Sequence, residues 1–329
     1  MMADKVSFAR DDVVEVEVRP EFPVRLPRGG GDGVTRVREG VLERLLHVGP
    51  CPVRVRAWQV RTGVRIRAER IEPRLAIHTG EFECEEAGRE QLGIAVERMR
   101  FALALDDDMG GFFRAFRGDP LIGGAIHHKP WVRPKRRPWP WEALAWAITE
   151  QLIESSRAKA IQRRMVRRWG PRAAPAKRTD RPLMDVPSPG VIAGRAPAEL
   201  VSMDLTEGRS VAMVRCAREV AAGRADLADP ASDRRLLAIR EIGPWTLQCV
   251  GLNGRGDPDS LPAGDLAYVK LVGHLASLGR RATVEEVEEF FAPYAPFRGL
   301  AGTFALHGHH RVVAQGGPLR LAPDIADAA

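Results

Sequence analysis

Residues 232–273 read SDRRLLAIREIGPWTLQCVGLNGRGDPDSLPAGDLAYVKLVG. The first ten predict a helix with Leu236, Leu237 and Ile239 inward, running into Glu241-Ile242-Gly243-Pro244. Gly243 breaks that helix, and Pro244 suits the first turn of the next, where its missing N–H costs nothing. A tight turn into a helix N-terminus exposes backbone N–H groups beside the positive end of the helix dipole, which is a phosphate site. About twenty residues on, LPAGD puts Asp265 at the expected N-cap of a further helix. Alone, an Asp after Gly is a common cap and a Gly-Pro pair a common turn. The two at this spacing are more specific.

Upstream, the pattern divides. Val14-Glu15-Val16-Glu17-Val18 alternates with period two, as do PVRVRAWQVR and, after Thr62-Gly63, VRIRAE. These predict half-buried strands and a hairpin. RLAIHTG predicts a short strand, and RLPRGGGDG (25–33) a loop. VREGVLERLL, apolar at Val41, Leu42, Leu45 and Leu46, predicts a helix, and EAGREQLGIAVERMRFAL predicts another. After Leu105 come Asp106 to Asp108 and the basic, proline-rich HHKPWVRPKRRPWP (127–140). From Trp141 the pattern is helical. The expected organisation is an α+β lobe over 1–105 and a helical region over 106–329. The latter contains a helix-hairpin-helix at about 232–252 and an Asp loop at 260–266.

The 329 residues carry a formal charge of +7, with 44% hydrophobic and 28% charged residues, a globular rather than a disordered mixture. No apolar run is long enough to span a membrane. The N-terminal MMADKVSFARDD lacks a signal-peptide core, so a cytoplasmic location is expected. Cys51, Cys84, Cys216 and Cys249 form no CxxC pair, which argues against a zinc knuckle and suits buried thiols in a reducing compartment. The pI near 9.7 suits a polyanionic partner.

With these segments in hand, the chain resembles the helix-hairpin-helix (HhH-GPD) DNA glycosylase superfamily, and within it DNA-3-methyladenine glycosylase II (AlkA-like). AIREIGPWT is similar to the family's hairpin and LPAGD to its aspartate loop. WEALAWAITEQLIE resembles its helix with an Ala-Ile pair and Gln-Leu element, and EEFFAPYAPFRGLAGTFAL its closing helix. The resemblance implies a TATA-binding-protein-like (TBP-like) mixed α/β lobe followed by an all-helical catalytic region, with the active site in a cleft opposite the hairpin. It implies a monofunctional enzyme of base-excision repair that hydrolyses the N-glycosidic bond of flipped-out alkylated purines. The expected partner is damaged double-stranded DNA, met by a nucleoid-associated monomer.

Residue by residue, the resemblance gives Asp265 the role of catalytic carboxylate. Trp245 falls where bifunctional relatives carry a lysine, so no Schiff base can form. Trp245 and Cys249 would line the base pocket. Leu152, with Gln151, falls at the wedge that fills the gap left by a flipped nucleotide. Ile242, Gly243, Trp245 and Thr246 fall at the phosphate-holding hairpin, where the family often seats a monovalent cation. No organic cofactor is implied. Base loss passes through an oxocarbenium-like sugar that a fixed carboxylate stabilises. Glu241 stands where the family's hairpin has its first glycine, and is expected to give up a glycine-only backbone angle and to set a negative charge beside phosphate. Glu150 replaces the glycine before the Gln-Leu element, and Cys249 an aromatic.

Other candidates have plainer readings. Arg157, Lys159, Arg163, Arg164, Arg167 and Arg168 form a basic helix face, either solvated or turned to phosphate. His307, His309 and His310 lack a carboxylate or thiol at ligand spacing, so no metal site is expected. Val284, Val287, Phe290 and Phe291 predict the inner face of an amphipathic helix. Two other functions remain open: a non-catalytic damage-binding or architectural protein, which Glu241 and Glu150 motivate, and a deaminated-base glycosylase.

Overall fold

The computed structural model describes residues 5–10, 12–49, 51–71, 76–77, 89–173 and 181–309. Its strands are β1 (Lys5–Arg10), β2 (Val13–Val18), β3 (Thr35–Arg38), β4 (Val41–Val48), β5 (Cys51–Val60), β6 (Gly63–Arg70) and β7 (Ala76–Ile77), with β8 (Arg172–Ala173) and β9 (Leu183–Met184) later in the chain. Its helices are α1 (Arg89–Ala102), α2 (Gly110–Phe116), α3 (Gly123–His128), α4 (Pro140–Glu150), α5 (Ser155–Trp169), α6 (Pro189–Ala193) and α7 (Pro197–Val201), then α8 (Glu207–Ala221), α9 (Asp233–Leu237), α10 (Pro244–Cys249), α11 (Leu266–Leu275), α12 (Val284–Phe291) and α13 (Arg298–Gly308). The expected α+β class therefore holds. Two compact units divide the chain: residues 1–108 with 135–256, and 109–134 with 257–329. None of the helices among the described residues is long and apolar enough to cross a membrane.

The first unit contains a six-stranded antiparallel sheet in the order β1-β2-β6-β5-β4-β3. The alternation that predicted its strands sets its two faces. Val14, Val16 and Val18 share one face with Val64, Ile66 and Ala68, and α1 covers it with Leu92, Ala95, Val96 and Met99 at helical spacing. On the other face charges pair across strands: Arg65 with Glu17, Arg56 with Glu69, Arg54 with Glu69. The apolar pattern of VREGVLERLL, expected to be a helix, is instead β3, a turn and β4.

 The reason is local: Glu39 (φ 51) and Gly40 (φ 79) both take left-handed backbone, the signature of a tight two-residue hairpin loop, which sets Arg38 opposite Val41. Leu42, Leu46 and Val48 then join the face under α1, while Leu45 packs with Ile71, Ala173 and Leu183. Of the strand expected at RLAIHTG, Ala76–Ile77 is described, and the rest lies outside the described residues. The Cys84 and His310 readings lie outside them too.

α4 is the spine of the helical part of this unit. Trp141 through Thr149 are all buried, so the helix is enclosed on every side rather than on one stripe. It packs with α5, α8 and α10 in a core that holds Trp141, Trp146, Ile161, Met213, Leu236 and Ile242. The long helical pattern from Trp141 is thus two helices, interrupted at Gln151–Glu154. Leu237, expected inward, is 46% exposed, because α9 is a single short turn with only Leu236 facing the core.

The second unit is built on an aromatic cluster. Phe112 packs against Phe116, Phe297 and Phe304 with ring centroids 5.3–5.7 Å apart. Arg298 is held by Asp259, whose carboxyl lies below its ordinary range chiefly through that hydrogen bond. α12 buries Val287 and Phe291, but Val284, expected inward, is exposed in its first turn beside the Thr283–Glu286 capping box.

Candidate nucleic-acid interface and active site

In the first unit, the hairpin joins α9 to α10. Gly243 is the N-cap residue, with extended backbone, and Pro244 occupies the first turn as expected. Ile242 donates its N–H to Ile239 O (3.0 Å) and buries its side chain in the core. It therefore fixes the turn and has no donor left for a phosphate. Thr246 N donates to Gly243 O at 3.1 Å. The N–H groups of Gly243 and Trp245 have no hydrogen-bond partner among the described residues, so the anion-binding donors expected of this turn reduce to these two. Trp245 is half-buried and its indole N–H is buried without an acceptor among the described residues. Cys249, one helical turn later, is buried.

Glu241 corrects one expectation. Its backbone keeps the left-handed angle (φ 74) that a glycine would take more cheaply. Its carboxylate lies against the first turn of α8, where a Cβ on Gly208 would come within 2.9 Å of Glu241 Oε1. A helix N-terminus is favourable ground for an anion, and Arg209 follows in the same turn. The negative charge thus has a partner within the protein. Glu150 similarly accepts a hydrogen bond from Gln162 Nε2 at 3.0 Å.

Leu152 lies between α4 and α5 with φ 51 and 103% relative exposure. A leucine with left-handed backbone and no cover is an expensive arrangement, of the kind that clusters at functional sites. Gln151, before it, donates from Nε2 to Glu241 O (2.8 Å) and to Thr246 Oγ1 (2.9 Å). The structure therefore brings Gln151, Leu152, Gly243, Trp245 and Thr246 into one neighbourhood.

In the second unit, Asp265 is the N-cap of α11. Its Oδ1 accepts the N–H of Ala267 at 2.8 Å, and its own N–H donates to Pro262 O. The carboxylate is half-buried, and Oδ2 has no hydrogen bond or ion pair among the described residues. One oxygen is thus spent on rigidity and the other is available for chemistry.

The basic helix face is partly spoken for. Arg157 pairs with Asp204 (2.6 Å), Arg163 donates to Gly31 O and Arg164 to Met203 O. His307 and His309 contact the Thr303 and Leu121 carbonyls, and no group of three or more metal-ligating side chains occurs among the described residues.

Two arrangements escaped the sequence reading. Arg209, on α8, donates to Gln151 O at 2.7 Å and to Thr206 Oγ1 at 2.9 Å. Arg44, Glu142, Asp185, Asp32 and Arg137 form a buried ionic network. No local pattern marks either, since the partners lie 58 residues apart in the first case and 98 for Arg44 and Glu142 in the second.

No family model matches the chain. The chain is 25% identical over 210 residues to the DNA-3-methyladenine glycosylase of Bacillus subtilis, which covers 61% of this chain and 67% of that protein. It is 26% identical over 218 residues to the probable bifunctional transcriptional activator/DNA repair enzyme AlkA of Mycobacterium tuberculosis, covering 63% of this chain but only 41% of that longer one. Among solved structures, the 3-methyladenine DNA glycosylase from Archaeoglobus fulgidus superposes with a TM-score of 0.71 at 18% identity, covering 90% of this chain and 98% of that one. The Clostridium acetobutylicum 8-oxoguanine glycosylase/lyase bound to DNA superposes with a TM-score of 0.66 at 13% identity, covering 94% and 98%. At such identities the superpositions speak for the fold alone. The chain thus resembles DNA-3-methyladenine glycosylases in sequence and shares the fold of solved DNA glycosylases.

Proposed function

We propose that the protein is a monofunctional DNA glycosylase that removes alkylated purines from duplex DNA. The observation that carries this reading is Asp265: a carboxylate locked by its own helix cap, with Oδ2 left available. A group held this way can stabilise an oxocarbenium-like deoxyribose without reorganising as charge develops. It can also orient the water that attacks C1′.

The remaining roles follow from the chemistry. Gly243 and Trp245 offer N–H donors to a phosphate. Leu152 is an exposed apolar side chain suited to the space that a flipped nucleotide vacates. Trp245 presents an indole, on which a cationic N3- or N7-alkylated purine would stack favourably. An indole cannot form a Schiff base, so base release should leave an intact abasic site. The retained backbone angle at Glu241, with its carboxylate against α8, supports a hairpin of ordinary shape and so favours the enzymatic reading.

The test is to incubate methylated duplex DNA with the protein, then to assay free base, strand cleavage and borohydride trapping. Release of 3-methyladenine or 7-methylguanine with uncut strands and no trapped adduct is expected. Trapping of a covalent adduct would contradict the monofunctional reading, and binding without release would contradict the enzymatic one.

A further inference from the structure

The resemblance pairs Gln151 with Leu152 as a DNA-contacting wedge. The side chain of Gln151 is committed elsewhere. An amide nitrogen has two protons to donate, and both are used inside the protein, on Glu241 O at 2.8 Å and Thr246 Oγ1 at 2.9 Å. These acceptors stand on either side of the Gly243-Pro244 turn. The left-handed backbone of Glu241 fixes the direction of the carbonyl that Gln151 reaches. The main chain of Gln151 is held as well, since its carbonyl accepts from Arg209 Nη1 at 2.7 Å. Arg209 is in turn steadied by Thr206 Oγ1.

The next residue, Leu152, is fully exposed in a left-handed conformation. Such a residue persists only where its neighbours over-determine the backbone. The neighbour that does so is Gln151, gripped at side chain and main chain by α8 and by both arms of the hairpin.

We propose that Gln151 is a positioning residue that couples the Leu152 turn to the hairpin, so that phosphate engagement at Gly243 and Trp245 and presentation of Leu152 act as one mechanical unit. Its purpose rests on the glycosylase reading, but the coupling itself is a property of the free protein. Gln151 then acts through Leu152 and the hairpin backbone rather than by touching DNA.

The experiment is amide hydrogen exchange on the full chain, comparing wild type with Gln151→Leu, which keeps the volume and removes both donors. Exchange of the hydrogen-bonded amides in the last turn of α4 (148–150) and in α10 at 246–249 should rise together, by about tenfold, on loss of the two bonds. A change in one segment alone, or in neither, would overturn the proposal. If Gln151→Leu fails to fold, Thr246→Val removes one acceptor and is read the same way, with a smaller rise in both segments expected. A second arm places 2-aminopurine beside the lesion to report insertion of Leu152. Leu152→Ala should reduce that signal strongly in wild type and little in Gln151→Leu, whereas additive losses would contradict the coupling. If wild type releases no base, the glycosylase reading fails while the exchange arm still decides the coupling.

Discussion

Arg44 Nη2 lies 2.9 Å from Glu142 Oε2, and both side chains are almost wholly out of water, so the sheet strand β4 is tied by a buried ion pair to α4, the helix that ends at the Leu152 turn. Arg137 adds a second contact to Glu142 and one to Asp32, and Asp185 approaches Arg44 at 3.7 Å. Removing one member leaves the others buried and uncompensated. Glu142→Ala should destabilise the protein by about 3–5 kcal/mol. Urea unfolding checks this, and a loss below about 1 kcal/mol would show that the network is not structural.

Asp32 gives that network a pH signature. Burial would raise its pKa, but Arg137 and Arg44 outweigh this and hold it below the usual carboxylate range. A depressed carboxylate contributes stability above its unfolded-state pKa and loses it as pH falls through the folded value. The protein should therefore lose stability in acid below about pH 4. Asp32→Asn should be less stable at neutral pH with a flatter acid limb, as thermal melts across pH would reveal.

Glu241→Gly should relieve the left-handed backbone at a gain of about 1 kcal/mol, set against loss of the carboxylate at the start of α8. Duplex binding should tighten, because a negative charge leaves the neighbourhood of the hairpin. Titration of an abasic-site duplex at fixed salt measures it, and weaker binding would mean that the carboxylate organises the hairpin.

Trp245→Ala should slow release of cationic alkylpurines by about tenfold or more, through loss of a stacking surface. A neutral substrate such as hypoxanthine should be affected less. Equal losses on both would assign Trp245 to packing instead of base recognition.

Much of the fold was legible because alternation and helical periodicity are local signals. Val14, Val16 and Val18 read directly as one sheet face, and Pro244 and Asp265 as a first turn and a cap. VLERLL misled because its apolar spacing also suits a helix, and the deciding Glu39-Gly40 turn lacks the usual Asn or Asp. The hairpin and the aspartate loop were legible as motifs. The use of Gln151 was not, because its acceptors lie 90 and 95 residues away and the Glu241 carbonyl that it holds belongs to no side-chain pattern.

The central claim is that the Asp265 carboxylate drives base loss. Single-turnover release of 3-methyladenine from methylated duplex DNA, measured for wild type and Asp265→Asn alongside their affinities for the same duplex, tests it most directly. The amide keeps an oxygen to cap α11 but lacks the charge, so release should fall on the order of 10²–10³-fold with binding retained. Release by Asp265→Asn at the wild-type rate would contradict the account.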